Sequence, residues 1–589
     1  MDKTTRDLQM RINKVTLKAG GEAGTGIATI GAIFAKIMQR IGLYVFMTND
    51  YPSLIRGGHN TIAIRASSDP IRSLYGPIDV LIALDKATIN AHANEMSEGG
   101  AIIYDSTTIK EADVKLPRPD IRAFAVPFTK IAKDAGGELF FNNVAVGATL
   151  ALLGMKIDPL KIIIEQTFGR KGAEIVSKNM VASQGGYDHL KNMLASPFDV
   201  KIEPRAIPER TVLLNGNDAV CIGAIRAGAN FVAEYPMSPS SSVLHWMAAH
   251  AVKYNLVVKH VEDEISAINH LCGAGFAGVR ALNATSGGGF ALMAEALGNA
   301  GIAEIPCVIV NVQRCGPSTG LPTYTEQADL RFTLHASQGE FPRIICMPGD
   351  PEEAFYETVN VFNMAELVQT PAIMLLDKYV SESAATVPYF DIAKTKVERG
   401  KLMSDAQMES AAGFKRHELT TDGISPRCLP GQKNGIHVCS SYEHDETGFT
   451  SEEPNMRIAQ IDKRARKMNA IAPALYQPSF YGDPASTFLL VSWGSTKGVA
   501  LEAMHLLARD NISIRFMHIK YAVPFAAEAI KEALQSASTV LICEGNSEGQ
   551  MRSFIREKTG ILIPNTYLRY DGRPFEPQDI ASKVRELMK

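Results

Sequence analysis

The segment IPCVIVNVQRCGPSTGLPT, residues 305–323, decides the fold of the central part of this 589-residue chain. It begins as an apolar run typical of a buried strand, and it then changes abruptly to Arg314 followed by glycine, proline and hydroxyl residues. In open α/β sheets, ligands bind at the carboxyl edge, where buried strands give way to such loops. We therefore expect a parallel α/β domain whose ligand site includes Arg314.

Two neighbouring segments follow the same pattern. LVVKHV, residues 256–261, precedes the acidic residues 262–264, and VRALNAT, residues 279–285, precedes a serine and three glycines. Helix-length segments separate these strands, which favours parallel pairing. Because parallel strands end at the same edge, we expect a carboxylate, a hydroxyl–glycine loop and a guanidinium to meet there. The alternative explanation for an acidic residue at this position is that it only stabilises the helix dipole at the start of the following helix.

The segment EYPMSPSSSV, residues 234–243, joins two elements of the same domain and concentrates prolines and hydroxyl groups. Tyr235, Pro236 and Ser238 lie near its start. Helix capping explains one of the serines. The whole set indicates a rigid polar rim beside the ligand site.

A glycine-rich turn, GGEAGTG at residues 20–26, lies between the first apolar strand and a helix-period segment. Backbone N–H groups and the helix dipole at such a turn suit an anion, so Gly24 and Gly26 are candidate binding residues. The glycine order differs from G-x-G-x-x-G, which argues against NAD. Arg56, in SLIRGGHN, is a second candidate for a phosphate-bearing ligand. Contact with a partner protein and plain turn geometry remain alternatives.

The chain length predicts three or four domains. A strand, glycine turn and helix near the N-terminus predict a Rossmann-like unit, two further α/β series follow, and a long irregular segment separates those two. The expected fold is multi-domain α/β, with a Rossmann-like domain at 10–200, a linker at 201–212, the central α/β domain at 213–385, an irregular insertion at 386–483 and a C-terminal α/β domain at 484–589.

The composition argues against several classes of protein. A net charge of -3 provides no general attraction for nucleic acid, and no apolar stretch approaches the ~18 residues that a membrane span needs. The eight cysteines form no C-x-x-C pair, so we expect neither a zinc site nor an iron–sulfur cluster within the chain and assign no metal ligands. The absence of an apolar signal segment and the thiols inside apolar runs predict a cytoplasmic protein.

The central domain resembles the alpha subunit of the 2-oxoacid:ferredoxin oxidoreductases in four motifs: YPMSPSS, EDEISAIN, ATSGGGF and QRCGPSTGLPT. The two flanking domains resemble that family's gamma domain, fused ahead of alpha, and its transketolase-C-terminal-like domain, in the motifs GGEAGTG, YPSLIRGGHN, LLVSWGSTKG and ICEGNSEGQ. The resemblance spans nearly the whole chain. The fused layout and the insertion are most similar to the 2-oxoglutarate type, also called 2-oxoglutarate synthase.

This resemblance implies a reaction. Enzymes of the family use thiamine diphosphate, and the 2-oxoglutarate type converts 2-oxoglutarate, CoA and oxidised ferredoxin reversibly to succinyl-CoA, CO2 and reduced ferredoxin, as in the reductive TCA cycle. The central domain is implied to be a pyrimidine-type thiamine-diphosphate domain. Pyruvate or branched-chain 2-oxoacids remain alternative substrates. A non-redox transketolase-like enzyme is the alternative chemistry, and a nucleotide-binding scaffold is the alternative from another class.

The resemblance also implies a partner. PGDPEE and YGDPAS carry Gly-Asp-Pro where the motif that grips Mg²⁺ and diphosphate has Gly-Asp-Gly, and the cysteine spacing suits no cluster. In the family, a beta subunit supplies the [4Fe-4S] cluster, the Mg²⁺ and the diphosphate grip, so thiamine diphosphate is shared between subunits. An (alpha-beta)2 heterotetramer that reduces ferredoxin is therefore implied.

Site residues follow from the matched motifs. Glu264 is implied to hydrogen-bond the aminopyrimidine of the cofactor, with Glu262 and Asp263 as alternatives. Arg314 is implied to bind the carboxylate of the 2-oxoacid, with Ser238 assisting.

The other assignments are looser. Asn546 is expected to stabilise an interface or a loop rather than perform chemistry. The residues assigned to cofactor binding are Tyr235, Pro236, Ser286 and Gly287. The residues assigned to substrate or CoA are Thr319, Arg427, His444, Gly24, Gly26 and Arg56.

Overall fold

The structure, a computed structural model, describes residues 10–54, 57–206 and 210–589. Within that part of the chain, no helix is long and apolar enough to cross a membrane. The chain forms two compact units: the described residues up to Leu214 with Ser383–Tyr389, and Asn215–Glu382 with Phe390–Lys589.

The first unit contains nine strands and six helices before residue 215 in the part that is described. The strands are β1 (Arg11–Ile12), β2 (Lys14–Glu22), β3 (Tyr44–Asp50), β4 (His59–Ser67), β5 (Ile78–Ala83), β6 (Met96–Asp105), β7 (Arg122–Val126), β8 (Val200–Lys201) and β9 (Thr211–Leu214). The helices are α1 (Ile27–Arg40), α2 (Lys86–His92), α3 (Phe128–Asp134), α4 (Phe141–Leu152), α5 (Asp158–Phe168) and α6 (Ala173–Met193).

The main sheet of the first unit is mixed. Strands β2, β5, β6 and β7 pair in parallel, as a Rossmann-like unit requires. Strand β4, however, is antiparallel to both β2 and β3. The connection between β3 and β4, residues 51–58, is too short for the crossover of a dozen or more residues that parallel pairing needs. Buried residues of α1 and of this sheet share one hydrophobic core.

The central part of the second unit alternates strands with helices. Its strands are β10 (Phe231–Glu234), β11 (Val257–His260), β12 (Ala281–Thr285), β13 (Cys307–Gln313), β14 (Ile344–Cys346) and β15 (Pro371–Asp377). Its helices are α7 (Gly216–Arg226), α8 (Ser242–Tyr254), α9 (Glu264–Phe276), α10 (Gly287–Leu292), α11 (Ala294–Ile302), α12 (Leu330–His335), α13 (Pro351–Val368) and α14 (Lys378–Glu382).

The chain then returns to the first unit in β16 (Ala384–Pro388) before it completes the second. The remaining strands are β17 (Ser479–Gly482), β18 (Phe488–Trp493), β19 (Arg515–Ile519), β20 (Tyr521–Val523), β21 (Thr539–Glu544) and β22 (Asn565–Leu568). The remaining helices are α15 (Asp405–Ser410), α16 (Pro454–Arg466), α17 (Thr496–Arg509), α18 (Ala527–Gln535), α19 (Gln550–Thr559) and α20 (Pro577–Leu587).

The central sheet has the order β11-β10-β12-β13-β15-β14-β20. Every pair is parallel except the last, in which β20 joins β14 from the C-terminal domain. Strand β13 is buried along its whole length, as its apolar sequence predicts. The parallel central sheet is thus confirmed. A second sheet, in the order β17-β19-β18-β21-β22, forms the C-terminal domain.

Strands β9 and β16 do not belong to the domains that the sequence predicted for them. The sequence placed residues 201–212 in a linker and residues 213–385 in the central domain, yet β9 and β16 extend the sheet of the first unit. Residues 385–388 of β16 pair antiparallel with β9, and β16 also pairs with β3. β9 is the edge strand of this sheet and β16 is its neighbour; strands this short are held mainly by backbone pairing, so their sequences carry little information about which sheet they join.

The carboxylate of Glu304, which precedes β13, anchors the insertion to the central domain. This side chain is fully buried. Lys463 Nζ lies 2.6 Å from Oε1 and Lys467 Nζ lies 3.1 Å from Oε2. Burial acts to raise the pKa of Glu304, but Lys467 and Lys463 outweigh it and hold that pKa well below the ordinary value. The insertion, although irregular, is therefore fixed by buried ion pairs.

Glu304, His417 and His444 each bring one potential metal-ligating atom within 4.8 Å of the others. Both oxygens of Glu304, however, already accept hydrogen bonds from lysine ammonium groups. A divalent cation at this place would lie directly beside those two positive charges. The arrangement favours an ion-pair anchor over a metal site.

Replacement of Glu304 by glutamine would leave two buried ammonium groups without their anion. We expect Glu304→Gln to lower the free energy of unfolding by about 3–5 kcal/mol, measured by urea denaturation followed by circular dichroism. Glu586→Gln is the matched control, because its exposed carboxylate pairs with Lys583 at 2.8 Å and such surface pairs contribute little. Equal stability of the two variants would contradict the anchor.

Candidate functional site

The carboxyl edge of the central sheet gathers the residues that the motifs singled out. Glu264 is the first residue of α9, which follows β11. Ser286 lies between β12 and α10, and Arg314 directly follows β13. Since β10, β11, β12 and β13 are parallel, all three residues leave the sheet at the same edge.

The three consecutive acidic residues after β11 have different environments. Glu262 is exposed. Asp263 caps α9, because its Oδ1 accepts a hydrogen bond of 2.7 Å from the backbone N–H of Ser266. Glu264 is only 3% exposed, and its Oε1 has no hydrogen-bond partner among the described residues. Of the three, Glu264 therefore has the buried oxygen that remains available to a ligand.

Close packing of a glycine turn shapes the surroundings of Glu264. A Cβ atom at Gly289 would lie 2.6 Å from Glu264 Oε1 and 2.2 Å from Thr285 Oγ1. A Cβ atom at Gly287 would lie 2.5 Å from Asp329 Oδ2. Gly287 and Gly289, in the first turn of α10, thus allow the backbone to approach the buried carboxyl group of Glu264 and the half-buried one of Asp329, which explains why these two positions contain no larger residue.

Further buried polar atoms lie within β12 and β13 and just after β12. Ser286 Oγ, Asn283 Oδ1 and Asn311 Oδ1 belong to fully buried residues and have no hydrogen-bond partner within the described ranges. Buried polar atoms are nearly always hydrogen-bonded. Ser286 Oγ and Glu264 Oε1 lie at the carboxyl edge of the sheet, and Asn311 pairs with Thr285, the last residue of β12. These three residues fit a site that hydrogen-bonds a polar ligand.

The guanidinium of Arg314 is tied to the loop after β10. Its Nη1 donates a hydrogen bond of 2.8 Å to the backbone carbonyl of Ser238, whereas the sequence had pointed to the serine hydroxyl as a second substrate donor. Arg314 is half-buried, and its buried Nε has no partner in the described part of the chain. Burial lowers the pKa of Arg314, and the nearby Asp329 acts in the opposite direction.

Sequence reasoning missed Asp329. Its Oδ2 accepts a hydrogen bond of 3.2 Å from Asn311 Nδ2, and its backbone N–H donates to Gln313 Oε1 over 2.9 Å. Burial raises the pKa of Asp329, while Asn311 and Arg314 act to lower it. An acidic residue just before an apolar helix was the only available signal, and it suggests a helix cap. The side chain of Asp329 makes no capping hydrogen bond to α12.

The other residues predicted for the site occupy its rim or another unit. Tyr235 is 38% exposed, and Pro236 lies beside it in the loop after β10. Thr319 is exposed within the loop that begins at Arg314. Gly24 and Gly26 lie in the first unit, where both have positive φ, 88° and 76°.

Arg56 lies outside the described residues. Gly26 precedes α1, and a Cβ atom there would lie 2.0 Å from Asn142 Nδ2. At Gly24 no described atom would lie within 4 Å of a Cβ atom. The positive φ of Gly26 and its close approach to Asn142 are sufficient reasons for a glycine, whereas Gly24 borders open space.

The structure corrects the assignment of Arg427 as a substrate ligand. Arg427 is buried, its Nη2 lies 3.0 Å from Glu366 Oε1, and its Nη1 donates to the carbonyl of Gly275. Gly275 lies at the C-terminal end of α9, about 16 Å along the helix from Glu264 at 1.5 Å per residue. The guanidinium is thus used in an internal ion pair away from the site edge.

The assignment of His444 is corrected in the same way. Its ring is buried, packs 3.9 Å from that of His417 and hydrogen-bonds the carbonyl of Tyr442. It belongs to the anchor around Glu304, which precedes β13 and therefore lies at the amino edge of the sheet. A histidine side chain is suited to binding an anionic substrate, but His444 lies at the wrong edge of the sheet to do so.

Both Gly-Asp-Pro segments have structural roles. Asp350 caps α13, because its Oδ1 accepts a hydrogen bond of 2.8 Å from the backbone N–H of Glu353, and it also pairs with Lys497. Asp483 accepts a hydrogen bond of 2.9 Å from the backbone N–H of Ala485 in a turn. Both carboxylates are therefore occupied by local partners.

Comparison with known proteins identifies the family. Residues 222–463 match the family model "Pyruvate flavodoxin/ferredoxin oxidoreductase, thiamine diP-bdg", and residues 16–189 match "Pyruvate ferredoxin/flavodoxin oxidoreductase". The alpha subunit of a 2-oxoacid:ferredoxin oxidoreductase from a Sulfolobus species is 31% identical over 97% of this chain and 96% of that protein. The chain belongs to the 2-oxoacid:ferredoxin oxidoreductase alpha-subunit family. The resemblance inferred from the motifs is thereby confirmed.

Two further relatives of this alpha subunit carry a more specific name. The 2-oxoglutarate oxidoreductase subunit KorA from Mycobacterium tuberculosis is 26% identical over 98% of this chain and 92% of that protein. A solved 2-oxoglutarate:ferredoxin oxidoreductase from Magnetococcus marinus, with 2-oxoglutarate, coenzyme A and succinyl-CoA bound, is 31% identical. It matches with a TM-score of 0.89 over 98% of this chain and 100% of that chain. The α/β multi-domain fold and the oxidoreductase class are confirmed.

A methyl group at position 289 would collide with the site itself. We expect Gly289→Ala to lower the free energy of unfolding by about 1–3 kcal/mol, because Glu264 and Thr285 must move. Gly273→Ala in α9 is the matched control: no described atom lies within 4 Å of its Cβ position, so the variant should be neutral or more stable by about 0.5–1 kcal/mol. Urea denaturation of both variants measures the difference, and equal effects would contradict the close packing.

Proposed function

We propose that this chain is the alpha subunit of a CoA-dependent 2-oxoglutarate:ferredoxin oxidoreductase. The reaction converts 2-oxoglutarate, CoA and oxidised ferredoxin to succinyl-CoA, CO2 and reduced ferredoxin, and it is reversible. One observation carries the proposal: the buried carboxylate of Glu264, whose Oε1 has no partner among the described residues, and the half-buried guanidinium of Arg314 leave the sheet at one edge. The names of the relatives support the choice of substrate.

The buried polar atoms of the site suit the aminopyrimidine end of thiamine diphosphate. Glu264 would bind a ring nitrogen and hold a proton there, with Ser286 and Gly287 beside it and the loop of Tyr235 and Pro236 as the rim. When bound, this cofactor supplies a carbon nucleophile and an electron sink for decarboxylation of a 2-oxoacid. Because Glu264 is shielded from water, its hydrogen bond to a ligand meets little competition from solvent.

Arg314 would bind the carboxylate next to the 2-oxo group. A guanidinium presents parallel N–H donors that match a carboxylate, and one of them, Nε, has no partner among the described residues. The bond from Nη1 to the carbonyl of Ser238 holds the side chain in place before substrate arrives. Such preorganisation lowers the entropic cost of reaching a reactive geometry.

A second polypeptide would complete the site. Seven of the eight cysteines are buried, and the aspartates of both Gly-Asp-Pro turns already have partners within the described part of the chain, so neither set presents ligands for a cluster or for Mg²⁺ and diphosphate. We assign the [4Fe-4S] cluster, Mg²⁺ and the diphosphate grip to a beta subunit. The expected assembly is an (alpha-beta)2 heterotetramer in the cytoplasm, with ferredoxin as electron acceptor.

The glycine turn of the first unit is proposed to bind an anionic group of CoA. No atom of the described residues would lie within 4 Å of a Cβ atom at Gly24, and α1 begins after Gly26 without an acidic residue in its first turn. Helix N-termini of this kind attract phosphate through their N–H groups and dipole.

The identity of the 2-oxoacid is tested with the reconstituted complex. Reduction of a viologen dye with CoA should be fastest with 2-oxoglutarate in a panel that includes pyruvate and branched-chain 2-oxoacids. A faster rate with another 2-oxoacid would overturn the substrate. Failure to reduce any dye, with turnover of sugar phosphates instead, would indicate a transketolase-like reaction.

Replacement of Glu264 by glutamine keeps its shape but removes the carboxylate. We expect Glu264→Gln to lower turnover by about 10²–10⁴-fold, the usual range for loss of a positioned acid or base. The complex should still assemble, as judged by gel filtration with the beta subunit. Glu262→Gln, at an exposed position two residues away, is the control and should retain turnover. Similar turnover of both variants would remove Glu264 from the mechanism.

Replacement of Arg314 by lysine keeps the charge but loses the two-pronged donor. We expect Arg314→Lys to raise KM for the 2-oxoacid by about 10- to 100-fold, because at least one charge-assisted hydrogen bond is lost. KM for CoA should change little. Arg331→Lys is the control, because Arg331 lies on α12 and forms only an exposed side-chain ion pair with Glu548. An unchanged KM in the Arg314 variant would contradict its role.

A further inference from the structure

We propose that the C-terminal domain positions Arg314, and that it does so through Asn546 and Gln327. The segment from Arg314 to Asp329 is called the arginine loop. This inference rests on the proposed role of Arg314 in binding the 2-oxoacid carboxylate. It assigns Asn546 and Gln327 as positioning residues, which act on substrate through the arginine loop.

Hydrogen bonds crosslink the arginine loop internally. The backbone N–H of Leu321 donates to the carbonyl of Cys315 over 3.0 Å, and that of Tyr324 donates to the carbonyl of Leu321 over 3.1 Å. The backbone N–H of Gly316 donates to Glu326 Oε2 over 3.1 Å. A loop crosslinked in this way moves as a unit, so contacts at its far end influence the orientation of its start.

The far end of the arginine loop is fastened at Gln327, which is 2% exposed. Its backbone N–H donates to the carbonyl of Gly545 over 2.6 Å, and its Oε1 accepts from the N–H of Gly545 over 2.8 Å. Its Nε2 donates to the carbonyl of Trp493 over 2.9 Å. Gly545 follows β21 and Trp493 ends β18, so both partners belong to the C-terminal domain.

Asn546 completes this attachment. Its Nδ2 donates to the carbonyl of Gln327 over 3.1 Å and to Glu544 Oε2 over 3.1 Å. Its Oδ1 accepts from the backbone N–H groups of Glu548 and Gln550. Asn546 is 1% exposed, so the loss of its amide would leave buried polar groups without partners. This geometry agrees with a loop-stabilising role and gives that role a functional target.

A second contact reaches the loop close to Arg314. The guanidinium of Arg573 lies over the ring of Tyr324, 4.0 Å from its centroid. A Cβ atom at Gly572 would lie 3.2 Å from Cys315 Sγ, so the backbone of this segment packs directly on the residue after Arg314. The C-terminal domain therefore contacts both ends of the arginine loop.

The test compares Asn546→Ala with Asn565→Ala in the reconstituted alpha–beta complex. Asn565 makes a similar bond, from Nδ2 to the carbonyl of Val540 over 3.0 Å, but both of these residues lie within the C-terminal sheet. We expect Asn546→Ala to raise KM for 2-oxoglutarate about tenfold with a change in kcat below about threefold. Asn565→Ala should change neither. Equal effects of the two variants would reduce Asn546 to a structural residue and overturn the inference.

A double-mutant cycle separates action through Arg314 from independent action. In the Arg314→Ala background, Asn546→Ala should raise KM no further, because the positioned group is already absent. Multiplicative effects would overturn the inference. An unchanged KM in Arg314→Ala alone would instead overturn the proposed function. A raised KM in Arg314→Ala together with a normal KM in Asn546→Ala would overturn only the inference.

A surface variant keeps the test valid if Asn546→Ala does not fold. Arg573 is exposed, so Arg573→Ala removes the contact with Tyr324 without opening the core. We expect it to raise KM for 2-oxoglutarate about two- to threefold and to leave KM for CoA unchanged. If Asn546→Ala unfolds and Arg573→Ala has normal kinetics, the inference is overturned.

Discussion

Parallel pairing of β10, β11, β12 and β13 is the constraint on which the rest of the site depends. Because these strands run in one direction, Glu264, Ser286 and Arg314 leave the sheet at one edge although they are distant in sequence. The glycines after β12 then allow the backbone to pack against Glu264 and Asp329 without an intervening side chain. The concentration of polar side chains at this edge thus follows from the ends of three parallel strands and from the glycines at the start of α10.

Much of the central domain could be predicted because its signals are local. Buried apolar runs alternate with amphipathic segments, and this alternation specifies parallel strands joined by helices. The choice among three adjacent acidic residues could not be made in this way. Successive residues at a helix start point in different directions, and the structure is needed to show that Asp263 caps α9 while Glu264 is buried. Asp329 was missed because a helix cap and a half-buried carboxylate beside the site look alike in sequence.

In the insertion, by contrast, the contacts that decide a residue's role are not local and could not be predicted. Arg427 and His444 have the right chemistry for an anionic substrate, but each is occupied inside the protein, by Glu366 and by the cluster around Glu304 respectively. Glu366 lies 61 residues before Arg427, and no periodicity links two such positions. A buried ion pair between distant segments leaves no pattern in the sequence. The same holds for β9 and β16, whose short strands follow backbone pairing in the first unit.

Strand β20 belongs to the C-terminal domain in sequence but pairs antiparallel with β14 of the central sheet. Buried residues of both sheets, including Ile345 and Met517, also form one continuous core. A hinge between these domains would break main-chain hydrogen bonds and expose that core, unlike the polar interfaces that usually permit domain rotation. A hinge opening between these two sheets is therefore unfavourable, and we expect substrate entry and product release to depend on loop movement instead.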